Sequence, residues 1–227
     1  MKEILSAAGL ESYPAEEVLV LGGPVLVVHI TGDGQQLWRQ VRTALPDHYP
    51  VLTLDRIYAS ELELFFPTDP RNAPADVLAR SAAVDVDARI AEISARRASG
   101  DLGTGEEGYN LDGYDVAHFG QPQDLVVLPR PEPWAAFAYL DSYYSSGHEP
   151  ELLVAAAHRW YDQHGAEPTV IGLATGFVVS RPPTNLADAE RLAAEHVFFA
   201  GLTAQTSERA YARALMHLDR WALYDRP

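Results

Sequence analysis

The stretch from residue 149 to residue 199 constrains the fold most, because turn and breaker residues divide it into short periodic segments. Pro150 suits the first turn of a helix, and Gly165 is typical of a helix end. Asn185 suits the N-cap of a second helix. Two strands are predicted between these helices, at residues 169–173 and 177–181, joined by Ala174-Thr175-Gly176 as a hairpin turn and ended by Pro182-Pro183.

The first part of the chain alternates strand and helix patterns. Runs rich in β-branched residues at 18–21 and 25–30 predict either a hairpin or two successive strands, because a Gly-Gly-Pro tripeptide separates them. Apolar residues at helical spacing predict a helix over residues 34–45, and Asp33 suits its N-cap. A short strand is expected at residues 51–54. This order of strand, helix and strand indicates an α/β layer with a crossover.

The middle of the chain is less regular. Residues 75–97 predict one long helix or two short ones, whereas residues 99–123 are acidic, glycine-rich and typical of a long surface loop. A strand is expected at residues 125–128. The aromatic segment 134–144 suits either a helix or irregular structure, and residues 221–224 suit a closing strand.

These patterns predict an α+β protein with a mixed β-sheet and helices packed against it. Along the chain we expect an N-terminal α/β part at residues 1–98, the acidic loop at 99–123, and a C-terminal α+β part at 124–227. We expect all three to form one compact domain, because a chain of 227 residues can bury a sizeable core.

The formal net charge is −15, and Lys2 is the only lysine. An acidic surface repels the phosphates of nucleic acids and favours a basic protein as partner, although acidic surfaces also serve solubility alone. The absence of cysteine excludes disulfides and thiolate chemistry. No apolar run is long enough to span a membrane, and the acidic N-terminus is unlike a signal peptide. A soluble cytoplasmic protein without cofactor or metal is expected.

Short motifs in the C-terminal part match a bacterial family. The matching segments are Arg159-Trp160-Tyr161, His164-Gly165-Ala166-Glu167, Val170-Ile171, Arg181-Pro182-Pro183-Thr184 and Glu195-His196-Val197-Phe198-Phe199. With Pro133-Trp134 and Tyr139-Leu140 before them, they resemble domain-of-unknown-function family 4253, common in actinobacteria, over residues 130–224. Where family members carry Cys-Pro-Asp, this chain has Ala200-Gly201-Leu202. The resemblance implies a fold but no activity, because none is established for the family.

Familiar catalytic motifs are missing or out of context. Residues 103–108 spell G-x-G-x-x-G, but a predicted helix precedes them and two glutamates inside the loop would repel pyrophosphate. Residues 110–115 suggest a calcium loop but lack carboxylates at the required first and twelfth positions. The sequence contains no G-x-S-x-G, and a single lysine at position 2 removes the P-loop and Schiff-base lysines.

Four residues remain as candidates for acid–base catalysis: His196, His158, Asp162 and Glu167. His158 and Asp162 lie one helical turn apart, so both could face one ligand. His196 lies on the apolar face of its helix, where a hydrogen-bonded core histidine is the commoner outcome. A pocket lined by His196, Glu167 and Asp162 would indicate a hydrolase or transferase beside the C-terminal hairpin.

Aromatic residues concentrate around the same segment. They suit either core packing or the anchors of a protein-recognition surface with a polar rim. The candidate binding residues are Trp134, Tyr139, Tyr143, Tyr144, Trp160 and Tyr161. Because catalytic signatures are missing and the charge is strongly negative, the first hypothesis is a non-catalytic protein-binding module with an immunity- or regulator-like role. The alternative is the hydrolase or transferase.

Overall fold

Seven strands form one mixed sheet in the order β1-β2-β4-β3-β5-β6-β7. The structure, a computed structural model, describes residues 2–96, 121–140, 149–172, 174–200 and 208–224. β3 and β5 are parallel, and all other neighbouring pairs are antiparallel. The strands are β1 (Ala15–Val20), β2 (Gly23–His29), β3 (Tyr49–Thr53), β4 (Asp124–Leu128), β5 (Ala166–Val170), β6 (Ala174–Val179) and β7 (Arg220–Tyr224).

Eight α-helices are described with this sheet. They are α1 (Lys2–Ala8), α2 (Gly34–Ala44), α3 (Pro74–Ser81), α4 (Val86–Arg96), α5 (Ala136–Tyr139), α6 (Pro150–His164), α7 (Leu186–Ala200) and α8 (Glu208–Leu215). Short 3-10 turns lie at Leu62–Leu64, Pro70–Asn72 and Pro133–Ala135. A mixed sheet with helices packed on it confirms the predicted α+β class. None of the described helices is both long enough and apolar enough to cross a membrane.

The N-terminal strands form the predicted hairpin, with Ala15 opposite Val28 and Val20 opposite Gly23. Asp33 caps α2 as expected, since its side chain accepts a hydrogen bond from the Gln36 amide at 3.1 Å. β2, α2 and β3 form the predicted crossover. The two strands are not neighbours, however, because β4 lies between them and pairs with both.

The position of β4 joins the two ends of the chain into one sheet. β4 follows the 99–123 segment in sequence but lies between strands that precede it. All five of its residues are buried, as expected for a short apolar strand with a neighbour on each side. Residues 97–120 lie outside the described part of the chain, so the predicted acidic loop falls almost entirely there.

The 75–97 segment forms two helices, α3 and α4, rather than one long helix. The α4 helix begins after Asp85, whose carboxylate accepts a hydrogen bond from the Ala88 amide at 3.0 Å. The aromatic segment begins with the 3-10 turn Pro133–Ala135 and continues into α5, whose four residues are all buried. Residues 141–148 are outside the described part of the chain.

The helix–hairpin–helix stretch has the predicted order and a different hairpin register. Gly165 ends α6 in the left-handed region (φ 58°), and Asn185 accepts a hydrogen bond from the Asp188 amide at 3.0 Å at the start of α7. Ala174-Thr175-Gly176 opens β6 instead of forming the turn. The cause is β7, which pairs with these three residues through Tyr224, Leu223 and Ala222 and so extends the strand.

The two faces of the sheet carry different helices. Glu167 on β5 pairs with Arg42 of α2, so α2 covers one face. Pro168 points to the other face because successive strand residues alternate. Its register partner Phe177 packs edge-on against Trp160 of α6, at 5.8 Å between ring centroids. Trp160 of α6 therefore lies on the opposite face of the sheet from Glu167.

Candidate functional site

A groove of about 660 Å³ lies where α6 meets α3, the start of α4 and the segment before the first turn of α5. Its walls come from residues 78–86, 130–134 and 155–163. α6 contributes one wall because its opposite face is fixed in the core by Leu153, Ala157 and Trp160, which are 2% exposed or less. The groove thus presents a rigid helical surface beside two shorter segments.

Trp134 and His158 are stacked in this groove. Their ring centroids are 3.9 Å apart and their planes differ by 16°. His158 Nε2 also lies 3.5 Å from Asp162 Oδ2, as expected for residues four apart on one helix. Tyr161 also lies close to Trp134, at 5.1 Å between ring centroids, with the two rings tilted. Four of the predicted site residues therefore form one cluster, which we call the Trp134 cluster: Trp134, His158, Tyr161 and Asp162.

Both arginines of the groove are already paired. Arg130 donates to Glu132 at 3.1 Å and 3.2 Å, and this pairing lowers the pKa of the Glu132 carboxyl group. Arg159 donates to Asp87 at 2.8 Å. Arg181 donates to the backbone carbonyl of Asp162 at 2.7 Å. Within the described residues, the Asp162 carboxylate contacts His158 at 3.5 Å, and 64% of this side chain is exposed. The carboxylate of Asp162 is therefore the accessible charge of the Trp134 cluster.

A buried carboxylate lies behind Arg159, one of the residues that line the groove. Glu195 of α7 accepts the indole N–H of Trp160 at 2.7 Å and forms an ion pair with Arg159 at 2.9 Å. Burial raises the pKa of Glu195, while Trp160 and Arg159 act in the opposite direction. Through this carboxylate, the core contact between α6 and α7 also positions a groove-lining arginine.

His196 is a core residue, as predicted from its position on the apolar face of α7. It is 1% exposed, and its Nδ1 lies 2.7 Å from the hydroxyl of Tyr211. Its ring lies 4.9 Å from both Trp160 and Trp221, measured between centroids. Burial lowers the pKa of His196 to about 3, so the imidazole is neutral at neutral pH. A substrate cannot reach this side chain.

Glu167 belongs to the other face of the sheet. It pairs with Arg42, whose Nε lies 2.9 Å from Glu167 Oε2, and Arg42 also lies over the Tyr49 ring at 5.3 Å. The structure therefore does not bring His196, Glu167 and Asp162 together in one pocket. Glu167 faces α2, because successive strand residues alternate between the two faces of the sheet. His196 is buried, so it cannot line a pocket that a substrate enters.

The predicted aromatic surface divides in the same way. Tyr139 and Trp160 are 5% and 0% exposed and belong to the core. They cannot anchor a partner, because packing on the sheet leaves no accessible ring. Tyr143 and Tyr144 lie outside the described residues. Of the six candidates, Trp134 lines the groove and is partly exposed, and Tyr161 is partly exposed beside Trp134.

A second polar cluster was not expected from the sequence. Asp124 is 0% exposed and opens β4; its Oδ1 lies 2.7 Å from His29 Nδ1, and its Oδ2 accepts the Ile57 amide at 2.6 Å. Arg56 Nε lies 4.0 Å from the same Asp124 Oδ1. His29 Nε2 faces Glu16 Oε1 at 3.8 Å. His29 and Asp124 are 95 residues apart, so the only available sequence signal was an acid at the start of an apolar strand.

In the described part of the chain, no group of three or more histidine and carboxylate side chains is arranged to hold a metal ion. The two histidine–carboxylate pairs, His158–Asp162 and His29–Asp124, are separate from each other in the fold. The first lies on the surface of α6, and the second joins the hairpin strand β2 to β4.

Comparisons with known proteins agree with the resemblance at the C-terminal end. Searches of the curated proteins and of the solved structures each found no match. A family model matches residues 124–225, which begin with β4 and include α6, the β5–β6 hairpin, α7 and β7. The groove is therefore built partly inside and partly outside the matched region, since α3 and the start of α4 precede it. The model that matches residues 124–225 is that of the family described as domain of unknown function, DUF4253, and this part of the chain is similar to it.

Proposed function

We propose that the chain is a non-catalytic cytoplasmic binding module that takes an arginine-containing segment of a basic protein in the groove beside α6. The observation that carries the proposal is the Trp134 cluster, where stacked rings stand next to an exposed carboxylate. A regulator- or immunity-like role would use such a module to occupy a partner's basic surface.

The chemistry of the Trp134 cluster suits a guanidinium group. Arginine stacks on aromatic faces and pairs with carboxylates through two parallel N–H donors. Trp134, His158 and Tyr161 supply ring surface, and Asp162 supplies the carboxylate at the end of the stack. Lysine would gain the charge but not the planar stacking, so arginine should bind more tightly than lysine.

The charge of the whole chain supports the same partner class. A net charge of −15 attracts basic segments over distances longer than a contact and raises their rate of encounter. Within the groove, Arg130 and Arg159 are held by Glu132, Asp87 and Glu195, so they offer little attraction to an acidic ligand. Binding should consequently weaken as salt concentration rises.

The direct test is a titration of the intact protein with an oligoarginine peptide, compared with oligolysine and oligoglutamate peptides of the same length. We expect saturable binding of oligoarginine, several-fold weaker binding of oligolysine and none of oligoglutamate. The Asp162→Arg variant should lose about tenfold or more in affinity, because it replaces the accessible carboxylate with a cation. Asp162 is exposed, so the fold should be retained.

A matched variant separates site binding from general attraction. Glu3→Arg makes the same change of charge on α1, a helix that contacts α2, which covers the other face of the sheet. Affinity should fall only slightly in Glu3→Arg if the groove is the site. Equal losses in Asp162→Arg and Glu3→Arg would reject the groove, because net charge alone would then govern binding.

A second candidate function rests on His29. The buried carboxylate of Asp124 lies 2.7 Å from His29 Nδ1, while Nε2 lies 3.8 Å from Glu16 on a side chain that is 22% exposed. This is the arrangement of a general base oriented by a third group, which a hydrolase or transferase requires. Hydrolysis of an activated ester such as p-nitrophenyl acetate should then be lost in His29→Gln and kept in His158→Gln. Equal rates in both variants would leave His29 a structural residue.

A further inference from the structure

The sheet has two end strands with very different surroundings. At one end, residues 221–223 of β7 are buried. At the other end, β1 pairs with β2 alone among the described strands, and most of its side chains are partly or fully exposed. The outer side of β1 therefore offers unpaired backbone N–H and C=O groups, the groups that natural proteins usually protect at a sheet edge.

Exposed apolar side chains lie on β1 and directly after it. In the described part of the chain, the exposed large hydrophobic residues occur here and in the 58–64 segment, of which Leu62 lines a groove with Leu19 and Leu21. These exposed residues are Leu19 (79% exposed), Leu21 (41%), Tyr58 (54%) and Leu64 (65%). Leu19 lies on β1 and Leu21 lies in the turn that follows it, and both line one groove. This apolar groove has a volume of about 380 Å³ and is also lined by Leu62, Phe66 and Pro67.

The turn that presents Leu21 is held in place. A β-carbon on Gly22 would lie 2.4 Å from the Tyr139 ring and 2.8 Å from Pro74, so this position admits glycine alone. Tyr139 is 5% exposed and fixed in the core. The apolar groove beside β1 is therefore formed in advance of any ligand, which reduces the entropy lost on binding.

From the open backbone edge and the apolar groove, we propose that β1 is a docking edge for an extended segment of another protein, which adds to the sheet as an eighth strand. The segment has apolar side chains that fill the groove of Leu19 and Leu21. It also has basic side chains, because β1 itself carries Glu16 and Glu17, and because Glu61 and Glu63 flank the groove-lining Leu62 in the sequence.

The same charges argue against a second copy of this chain on the edge. Each copy has a net charge of −15, and self-pairing of β1 would bring Glu16 and Glu17 of both copies close together. Like charges near one another across strands are destabilising. A heterologous basic strand meets the edge without this cost. The docking edge is distinct from the Trp134 cluster and does not depend on it.

The test uses a short capped peptide that alternates lysine and valine, titrated against the full chain. A matched peptide carries N-methyl groups on alternate amides, which preserves charge and side chains but blocks hydrogen bonding along one edge. We expect the plain peptide to bind at least about tenfold more tightly than the N-methylated one. Leu19→Arg should abolish this preference, whereas Glu3→Arg on α1 should keep it.

Three results would overturn the proposal. Equal binding of the two peptides would mean that charge alone attracts them. Equal binding by wild type and Leu19→Arg would place the peptide elsewhere. Concentration-dependent dimers that Leu19→Arg dissociates, seen by analytical ultracentrifugation, would identify a second copy as the occupant. Leu19 is 79% exposed, so the substitution should leave thermal unfolding unchanged.

Discussion

Trp160 of α6 donates its indole N–H to the carboxylate of Glu195 on α7 across 2.7 Å. The other oxygen of Glu195 holds Arg159, which reaches the groove and also donates to Asp87 at the start of α4. One buried acid therefore connects three helices. Glu195 is 6% exposed, so this carboxylate belongs to the core. It fixes to the core the helix wall that carries the Trp134 cluster.

Replacement of Glu195 by alanine should destabilise the fold by about 3 kcal/mol, because it leaves the Trp160 N–H unpaired and removes one partner of a buried ion pair. Urea unfolding would measure the change. Glu190→Ala on the same helix is the control. Its pair with Arg209 is exposed and 3.8 Å long, so the loss should be under about 0.5 kcal/mol. Similar losses in both variants would contradict the proposed role of Glu195.

Stability should depend on pH through His196. Because burial lowers its pKa from 6.5 to about 3, the unfolded chain binds more protons than the folded chain between these two values. The contribution of His196 to the free energy of unfolding is therefore present above pH 6.5 and is lost progressively as the pH falls toward 3.

The slope from one such group approaches about 1.4 kcal/mol per pH unit within that window. Burial raises the pKa of Glu195, which acts in the opposite direction, so the comparison must be made against a variant that changes His196 alone. His196→Gln should show a flatter dependence of unfolding free energy on pH between 6.5 and 3. Parallel curves for His196→Gln and wild type would contradict the expectation.

Gly165→Ala should destabilise the turn after α6 by about 1–2 kcal/mol. Gly165 has φ 58°, and an added β-carbon would lie 2.0 Å from the hydroxyl oxygen of Ser180. Ser180→Ala in the same chain should recover the steric part of this loss but not the backbone part. Gly172→Ala, where no neighbour lies within 4 Å, should change thermal unfolding little. An unchanged stability of the Gly165→Ala variant would be inconsistent with the left-handed helix end.

Features set by local contacts were predictable from the sequence. The start of α2 at Asp33, the end of α6 at Gly165 and the start of α7 at Asn185 each depend on residues within one helical turn. The pairing of His158 with Asp162 follows from helical spacing in the same way. His196 was correctly assigned to the core because apolar residues surround it on one helix face.

Features set by distant contacts were not predictable. The register of β6 depends on β7, which follows it by some forty residues in the chain, and the place of β4 between β2 and β3 depends on pairing across the sheet. Glu167 looked available to α6 because the two are adjacent in sequence, yet it faces α2. Trp134 meets His158 only because its segment packs against α6.

The most direct test of the central claim uses tryptophan fluorescence. Of the four tryptophans, three are 5% exposed or less, and Trp134 alone is partly exposed. Acrylamide should therefore quench mainly Trp134, and Trp134→Phe should remove that quenchable fraction. A saturating oligoarginine peptide should protect the wild-type protein from acrylamide to the level of Trp134→Phe. Unchanged quenching with the peptide bound would contradict binding in the groove.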